Sequence, residues 1–427
     1  MLQFRRLSAW RIHSLFSSGH CISFSTISER GQFIQDFGGV IQFPNLKNDF
    51  IVLGIETSCD DTGLALVRSD GTVLASELKS QFQIHHEHGG IMPLLAAQQH
   101  AAVLDTLLIS LLKSAGISSL NEIDVIGVTT GPGLELCLLQ GVNYALNLSK
   151  LFNKPIVGVH HLEAHCLVPR SETLIQFPFL AVLVSGGHSQ FIHCLDIGHY
   201  KIIGSTLDDA LGEALDKAAR ILSFNQPDKS GGESLENAAK LSGWSPTAKN
   251  SPYSEQIRFT LPLTRTKKTR EENTFNLSYS GNKSALVRMV KRFEAIDKQN
   301  LLGSQDFKLV DNETVNWRYD IAKSYQYTSL MHIMDRLNGI FREYSSLTSS
   351  IVVVGGVARN QTLRQLMATF SSDNSVPVHF AKPGLCTDNG IMIAWTVVEK
   401  MAKQTAGLQK ALQIKARWSI EDLHSDT

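Results

Sequence analysis

Two histidines four residues apart, His161 and His165, are the first residues in this chain of 427 whose type and spacing suggest chemistry. On a helix that spacing puts both imidazoles on one face, close enough to share a metal ion. A zinc-peptidase H-E-x-x-H carries its glutamate directly after the first histidine, whereas here Leu162 holds that place and Glu163 comes one residue late. The pair also reads as two ordinary core or surface histidines. Asp388, within Cys386-Thr387-Asp388-Asn389-Gly390 and ahead of an apolar stretch, reads either as a helix N-cap or as a carboxylate ligand. Two imidazoles and one carboxylate would hold a divalent cation and leave coordination positions open for substrate oxygens.

Backbone N–H groups in glycine turns at helix starts bind anions, and the chain offers Gly131-Pro132-Gly133, Ser185-Gly186-Gly187-His188, Gly231-Gly232 and Gly355-Gly356. Each is a tight turn by one reading and a phosphate cradle by the other. No Walker A sequence is present. Arg258, Arg265, Lys267, Lys268 and Arg270, followed by Lys283, Arg288, Lys291 and Arg292, make the middle of the chain its densest basic region. Such a region tracks RNA phosphates, or it is a solvated surface interleaved with Glu271 and Glu272.

The elements that must position these residues repeat themselves. Phe50 to Ile55 reads as a buried strand ending in the polar turn Glu56-Thr57-Ser58-Cys59-Asp60-Asp61. A hairpin follows, Leu64–Val67 and Thr72–Ala75 about an Asp70-Gly71 turn. Helical spacing from about Leu94 to Ala115 leads to a strand at Val125–Val128 and then a glycine turn. The second half opens again on a strand, Phe179–Val184, with its turn and return strand. Helical spacing follows over Asp209–Leu222, then the strand Ile351–Val354, Gly355-Gly356 and a helix from about Asn360. The sequence therefore predicts an α/β chain with a duplicated two-lobed, actin-like layout, its site expected in the crevice between the halves. The boundaries expected are residues 50–165 for the first lobe and 166–400 for the second, with a polar insertion about 225–276. Residues 401–427 are expected to form a C-terminal helix or tail.

Forty basic and forty acidic residues cancel, so a nucleic-acid partner would need a local basic patch. Hydrophobic residues at 43% and charged residues at 19% exclude a disordered chain. Six scattered cysteines without a C-x-x-C pair suit a reducing compartment. The first segment carries Arg5, Arg6 and Arg11, many serines and no acid before Glu29. This composition predicts a mitochondrial transit peptide and linker over residues 1–45, with an unstructured basic tail as the alternative. No later stretch is expected to span a bilayer, and no membrane partner is expected.

Taken in order, GIETSCDDTG at Gly54, HHLEAH at His160, LVSGGHSQ at Leu183, LDDALGEALDK at Leu207, SYSGNKSA at Ser278, DIAKSYQ at Asp320, GGVARN at Gly355 and CTDNGIMIA at Cys386 resemble the tRNA threonylcarbamoyladenosine synthase family, in its single-protein mitochondrial branch. The resemblance spans Phe50 to Ala394. It implies an actin-like (ASKHA) fold and one divalent cation, iron or zinc, on His161, His165 and Asp388. It further implies a substrate-binding turn at Val184, Ser185, Gly186, Gly187 and His188. Asp216, Gly232, Glu236, Arg359, Asn360 and Thr387 would line the nucleotide and threonylcarbamoyl pocket, and Asp60 would have a catalytic role. The partners implied are tRNA, threonylcarbamoyl-AMP and a second copy of the chain in the mitochondrial matrix. Pro93–His100 lacks the Glu and Arg, and Gly133–Leu136 the Gly-Ser pair, common among relatives. A metallopeptidase, a small-molecule kinase of the same fold and a non-enzymatic RNA-binding module are the competing readings.

Overall fold

The computed structural model describes residues 49–88, 90–226, 229–245, 256–264, 274–301, 317–345, 348–403 and 412–426. The expected transit segment, 1–45, and the basic residues Arg265, Lys267, Lys268 and Arg270 lie outside them. The chain divides into two compact units, one comprising residues up to Ala164 with Asp388–Ser419, the other His165–Thr387 with Ile420–Asp426.

In the first unit, β1 (Ile51–Glu56), β2 (Asp61–Arg68) and β3 (Val73–Ser80) form an antiparallel meander. β4 (Val125–Gly131) and β5 (Ile156–His160) continue it in parallel, giving the order β3-β2-β1-β4-β5. Side chains alternate across a strand, and the alternation here separates two kinds of packing. Leu53, Ile55, Leu64, Leu66, Ile126 and Val128 join Leu104, Leu108, Leu111, Val142 and Ala145 in one core. The last five come from α2 (Pro93–Ala115) and α3 (Glu135–Phe152), which follow the short α1 (Phe82–Glu87). Gly116, at φ 69, ends α2 in the left-handed conformation that glycine adopts most cheaply. The intervening positions Gly54, Gly63 and Gly127 carry no side chain, and a later helix lies against them. A Cβ on Gly54 would stand 2.2 Å from the Gly390 carbonyl oxygen, and one on Gly390 2.4 Å from Ala65 N.

That helix runs from Gly390 to Ala402 and belongs with the first unit, not with the second lobe that was expected to extend to residue 400. The reason is the glycine contact just described: only side chains without Cβ permit such close backbone approach. Residues 412–419 also belong to this unit, where Lys415 N donates to Thr130 O and Gly133 N donates to Ala416 O. Among the described residues no α-helix follows Ala402: residues 412–419 form neither helix nor strand, a 3-10 helix runs from Ile420 to Asp426, and residues 404–411 of the expected C-terminal helix or tail lie outside the described ones. One expectation on membranes needs correcting. By length and composition alone α2 is sufficient to cross a bilayer, but its Leu104, Leu108, Leu111 and Leu112 are buried in the first unit's core.

The second unit repeats the topology. β6 (Phe179–Val184), β7 (Ser189–Asp196) and β8 (His199–Ser205) are antiparallel, while β9 (Ile351–Val354) and β10 (Val378–Phe380) add in parallel, in the order β10-β9-β6-β7-β8. Two five-stranded sheets of one connectivity establish the duplicated α/β fold. The helices here are α5 (Leu211–Ile221), α6 (Gly231–Lys240), α7 (Ser280–Leu301), α8 (Trp317–Tyr344) and α9 (Gln361–Asn374). The stretch expected to be a polar insertion is only partly one. Within it α6 packs on α5 and α8, and Leu235, Trp244 and Ile257 are buried.

Candidate metal centre and substrate turns

His161 opens the short helix α4 (His161–Leu167) directly after β5, so the sheet fixes where the helix begins. His165 lies one turn further along; the dividing point between the units falls within this helix. Asp388 precedes α10 (Gly390–Ala402), and the capping role goes to Asn389, whose side chain accepts from Met392 N at 2.9 Å. Asp388 is therefore not the helix cap. Its Oδ1 lies 3.5 Å from His161 Nε2. Ligand atoms of His161, His165 and Asp388 all lie within 4.8 Å of one another. Two atoms each about 2.0–2.1 Å from a tetrahedral ion stand about 3.3 Å apart, so the donor set fits a divalent cation with little movement.

Behind His161 stands Glu56, the last residue of β1, with a fully buried side chain. Its Oε2 is 3.1 Å from His161 Nδ1 and accepts from Thr129 Oγ1 at 2.6 Å, and its Oε1 accepts from Ser58 N at 2.5 Å. Burial raises the Glu56 pKa, but the adjacent imidazole and the hydrogen bonds outweigh it, leaving the carboxyl below its usual range. Burial lowers the His161 pKa, yet Asp388 and Glu56 together push it up to about 9. Sequence reading missed Glu56, placing it merely in a polar turn. Its signal was a carboxylate closing an otherwise apolar strand.

The acidic turn after β1 is held from α2. His100, fully buried, contacts Thr62 Oγ1 through Nδ1 at 2.7 Å and the Cys59 carbonyl through Nε2 at 2.9 Å. Asp60 lies in this turn, its carbonyl accepting from Gln81 N, and it is not one of the three clustered ligands. Burial, with neighbouring Asp60, Asp388 and Glu56 adding to it, pushes the adjacent Asp61 carboxyl up to about 7. Burial, with Asp60 adding to it, also pushes the Cys59 thiol far up. Glu163 is fully buried 2.7 Å from Lys400 Nζ. That ion pair takes Glu163 out of the place of a peptidase's general base, because a base that activates water must reach water.

In the second unit, Val184 ends β6 and residues 185–188 turn into β7. Ser185 N donates to His188 O at 2.8 Å and His188 N donates to Ser185 Oγ at 3.0 Å, while Gly186 and Gly187 point into open space. Two glycines press on this turn. A Cβ on Gly212 would lie 2.7 Å from Ser185 O, and one on Gly355, at φ 90, 2.4 Å from Val184 O. Asp216 Oδ1 accepts from Gly232 N at 2.6 Å, joining α5 to α6. Burial nevertheless raises the Asp216 pKa. Glu236 Oε1 accepts from Gln361 N at 2.9 Å, and Asn360 caps α9 through Leu363 N at 3.0 Å. Arg359 is exposed, and a Cβ on Gly356 would meet Thr387 Cγ2 at 4.0 Å. Of the resemblance-derived residues of this unit, Asp216 and Gly232 bond to each other, while Glu236 and Asn360 both hold the first turn of α9. Part of the expected basic region lies among the described residues. Lys283 pairs with Asp209, which also holds Lys217 at 3.2 Å, while Arg288, Lys291 and Arg292 are exposed on α7.

The family model described as tRNA N6-adenosine threonylcarbamoyltransferase matches residues 72–395. A protein of Arabidopsis thaliana described as a probable mitochondrial tRNA N6-adenosine threonylcarbamoyltransferase is 36% identical over 360 residues, 83% of this chain and 70% of the relative. The tRNA N6-adenosine threonylcarbamoyltransferase of Ehrlichia canis is 36% identical over 384 residues, 89% of this chain and 98% of the relative. Among solved structures, full-length HypF in its phosphate- and nucleotide-bound form superposes with a TM-score of 0.50 at 12% identity, covering 84% of this chain and 47% of its own. That last likeness concerns the fold alone and agrees with the actin-like layout.

Proposed function

Since the chain belongs to the tRNA N6-adenosine threonylcarbamoyltransferase family, we propose that it transfers the threonylcarbamoyl group of threonylcarbamoyl-AMP to N6 of the adenosine following the anticodon. Its substrates would be mitochondrial tRNAs reading codons that begin with adenine. The observation that carries this reading is the convergence of His161, His165 and Asp388, with Glu56 behind His161, in a chain of this family. The Arabidopsis relative, described as mitochondrial, and the basic, acid-free first segment support a mitochondrial matrix location.

His161, His165 and Asp388 would hold one divalent cation, iron or zinc, which supplies Lewis acidity to substrate oxygens when bound. The chain's own groups do the rest. Gly186 and Gly187, with space where side chains would be, leave the 185–188 turn open to an adenylate. Asp216, fixed to Gly232, and Glu236, fixed to Gln361, set the positions of α6 and α9, whose starts carry Gly232, Arg359 and Asn360. The adenosine amine is a poor nucleophile, so the reaction depends on polarising the carbamoyl carbonyl and stabilising the departing AMP. The N6–C bond forms, the C–O bond to phosphate breaks, and Asp60 accepts the proton that N6 loses.

The same proposal includes a homodimer, and exposed side chains of the first unit support it. Ile91, Met92 and Leu94 at the start of α2, and Leu136 and Leu139 at the start of α3, are large apolar side chains left exposed. Two of them, Leu94 and Leu136, lie in the two segments where the sequence departs from its relatives. A second copy is the partner proposed for this face.

Purified full-length protein incubated with threonylcarbamoyl-AMP, unmodified tRNA and a divalent metal tests the activity by mass analysis of the nucleosides. The expected product is N6-threonylcarbamoyladenosine, with His161→Ala and Asp388→Ala folded, metal-depleted and inactive. Normal turnover by metal-free variants would remove the metal from the proposal.

A further inference from the structure

Resting on the metal reading above, we propose that Glu56 is a positioning residue that fixes the tautomer and orientation of His161 and supplies the charge that balances a divalent cation. The geometry is specific. An ionised carboxylate only accepts hydrogen bonds, so Glu56 Oε2 at 3.1 Å requires the proton on His161 Nδ1. Nε2, the nitrogen that faces Asp388 Oδ1 at 3.5 Å, is then the one whose lone pair a cation would take in place of the imidazolium's second proton. Ser58 Oγ lies 3.2 Å from the same Nδ1, but a hydroxyl can donate as well as accept and fixes no tautomer.

The carboxylate cannot swing away. Ser58 N holds Oε1 and Thr129 Oγ1 holds Oε2, and both hydrogen bonds are buried. Burying a carboxylate costs several kcal/mol unless its surroundings compensate, so a neutral glutamine would suit a merely structural place better. Charge explains the choice. Two neutral imidazoles and Asp388 present one negative charge, and Glu56 makes it two, which leaves a divalent cation neutral in a largely buried site. A carboxylate behind a ligating imidazole also raises the basicity of the ligand.

The experiment uses the full chain and zinc alone, measured by competition with a chelating dye, with cobalt(II) substitution as a spectroscopic readout. Glu56→Gln is expected to bind zinc roughly 10–100-fold more weakly and to shift the cobalt bands, as loss of an outer partner of a metal-bound histidine does. His161→Ala serves as the control for the site and should lose the metal. Glu56→Gln with wild-type zinc affinity and an unchanged cobalt spectrum, beside a metal-free His161→Ala, would overturn the role of Glu56 and leave the site intact. Wild-type zinc binding by His161→Ala would overturn the metal reading and this proposal with it. Should Glu56→Gln fail to fold, 15N-histidine NMR of the zinc-loaded wild type decides. Zinc on Nε2 of His161 with a proton on Nδ1 supports the proposal, and zinc on Nδ1 overturns it.

Discussion

Lys400→Met tests how the helix bearing His161 and His165 is anchored. Glu163, between the two histidines, has no exposed side-chain surface, and Lys400 on α10 has 14%, with 2.7 Å between Oε2 and Nζ. Removing one partner of a buried ion pair strands the other charge and costs about 3–5 kcal/mol. Lys400 reaches some solvent, so water can enter where it stood, and the lower end, about 3 kcal/mol, applies. For a unit of this size each kcal/mol moves the midpoint by about 2–4 °C, giving a fall of about 6–12 °C in the first transition. The double variant Glu163→Leu/Lys400→Met leaves no buried charge and should recover most of the loss, a coupling of about 2–3 kcal/mol. Scanning calorimetry of the full chain and both variants measures it, with nucleoside analysis for activity. Additive losses would refute the pairing. A folded double variant without transferase activity would refute the assignment of Glu163 to structure.

Gly54→Ala should destabilise the first unit by about 3 kcal/mol or more, because the new Cβ meets the Gly390 carbonyl and Ala394 N at 2.2 and 2.6 Å and neither can step aside; urea unfolding of the variant checks this. His332 accepts from Ser278 N through Nε2, and burial with Arg336 nearby lowers its pKa to about 3. The unfolded chain therefore binds a proton below about pH 6.5 that the folded chain refuses, so stability falls as pH drops from about 6.5 towards 3, by about 1.4 kcal/mol per unit. His332→Asn lacks this loss, and denaturation curves of the two proteins should converge by about 2 kcal/mol between pH 7 and pH 5; parallel curves would refute it. Replacing Lys267, Lys268 and Arg270 together should lower the slope of log affinity for tRNA against log salt by about two to three, since each phosphate contact contributes about 0.7–0.9. A filter-binding titration reads the slope, and threonylcarbamoyl-AMP binding by calorimetry should stay unchanged.

Legibility in the sequence followed the range of each interaction. The β2–β3 hairpin was visible because Asp70-Gly71 and the flanking apolar runs are local. His161 and His165 were visible because one helical turn brings them together. Asp388 drew notice through its motif, but that Asn389 caps the helix in its place depends on backbone angles that neighbouring polar residues do not reveal. The return of α10 to the first unit was misread, since its sequence follows the second half without a break. The matching glycines, Gly54, Gly63 and Gly390, acquire meaning only once the strand and helix are laid together. Glu56 was missed for the same reason: its partners are two residues away at Ser58 but 73 away at Thr129 and 105 away at His161. A buried carboxylate at the end of an apolar strand signals such long-range partners, and it does not name them.

Mass analysis of mitochondrial tRNA nucleosides from cells lacking the gene tests the central claim most directly. N6-threonylcarbamoyladenosine should disappear from tRNAs reading codons that begin with adenine, return with the wild-type chain, and stay absent with His161→Ala or Asp388→Ala expressed at equal level. Persistence of the modified nucleoside in the deleted cells would contradict the transferase, and its return with both ligand variants would contradict the metal centre.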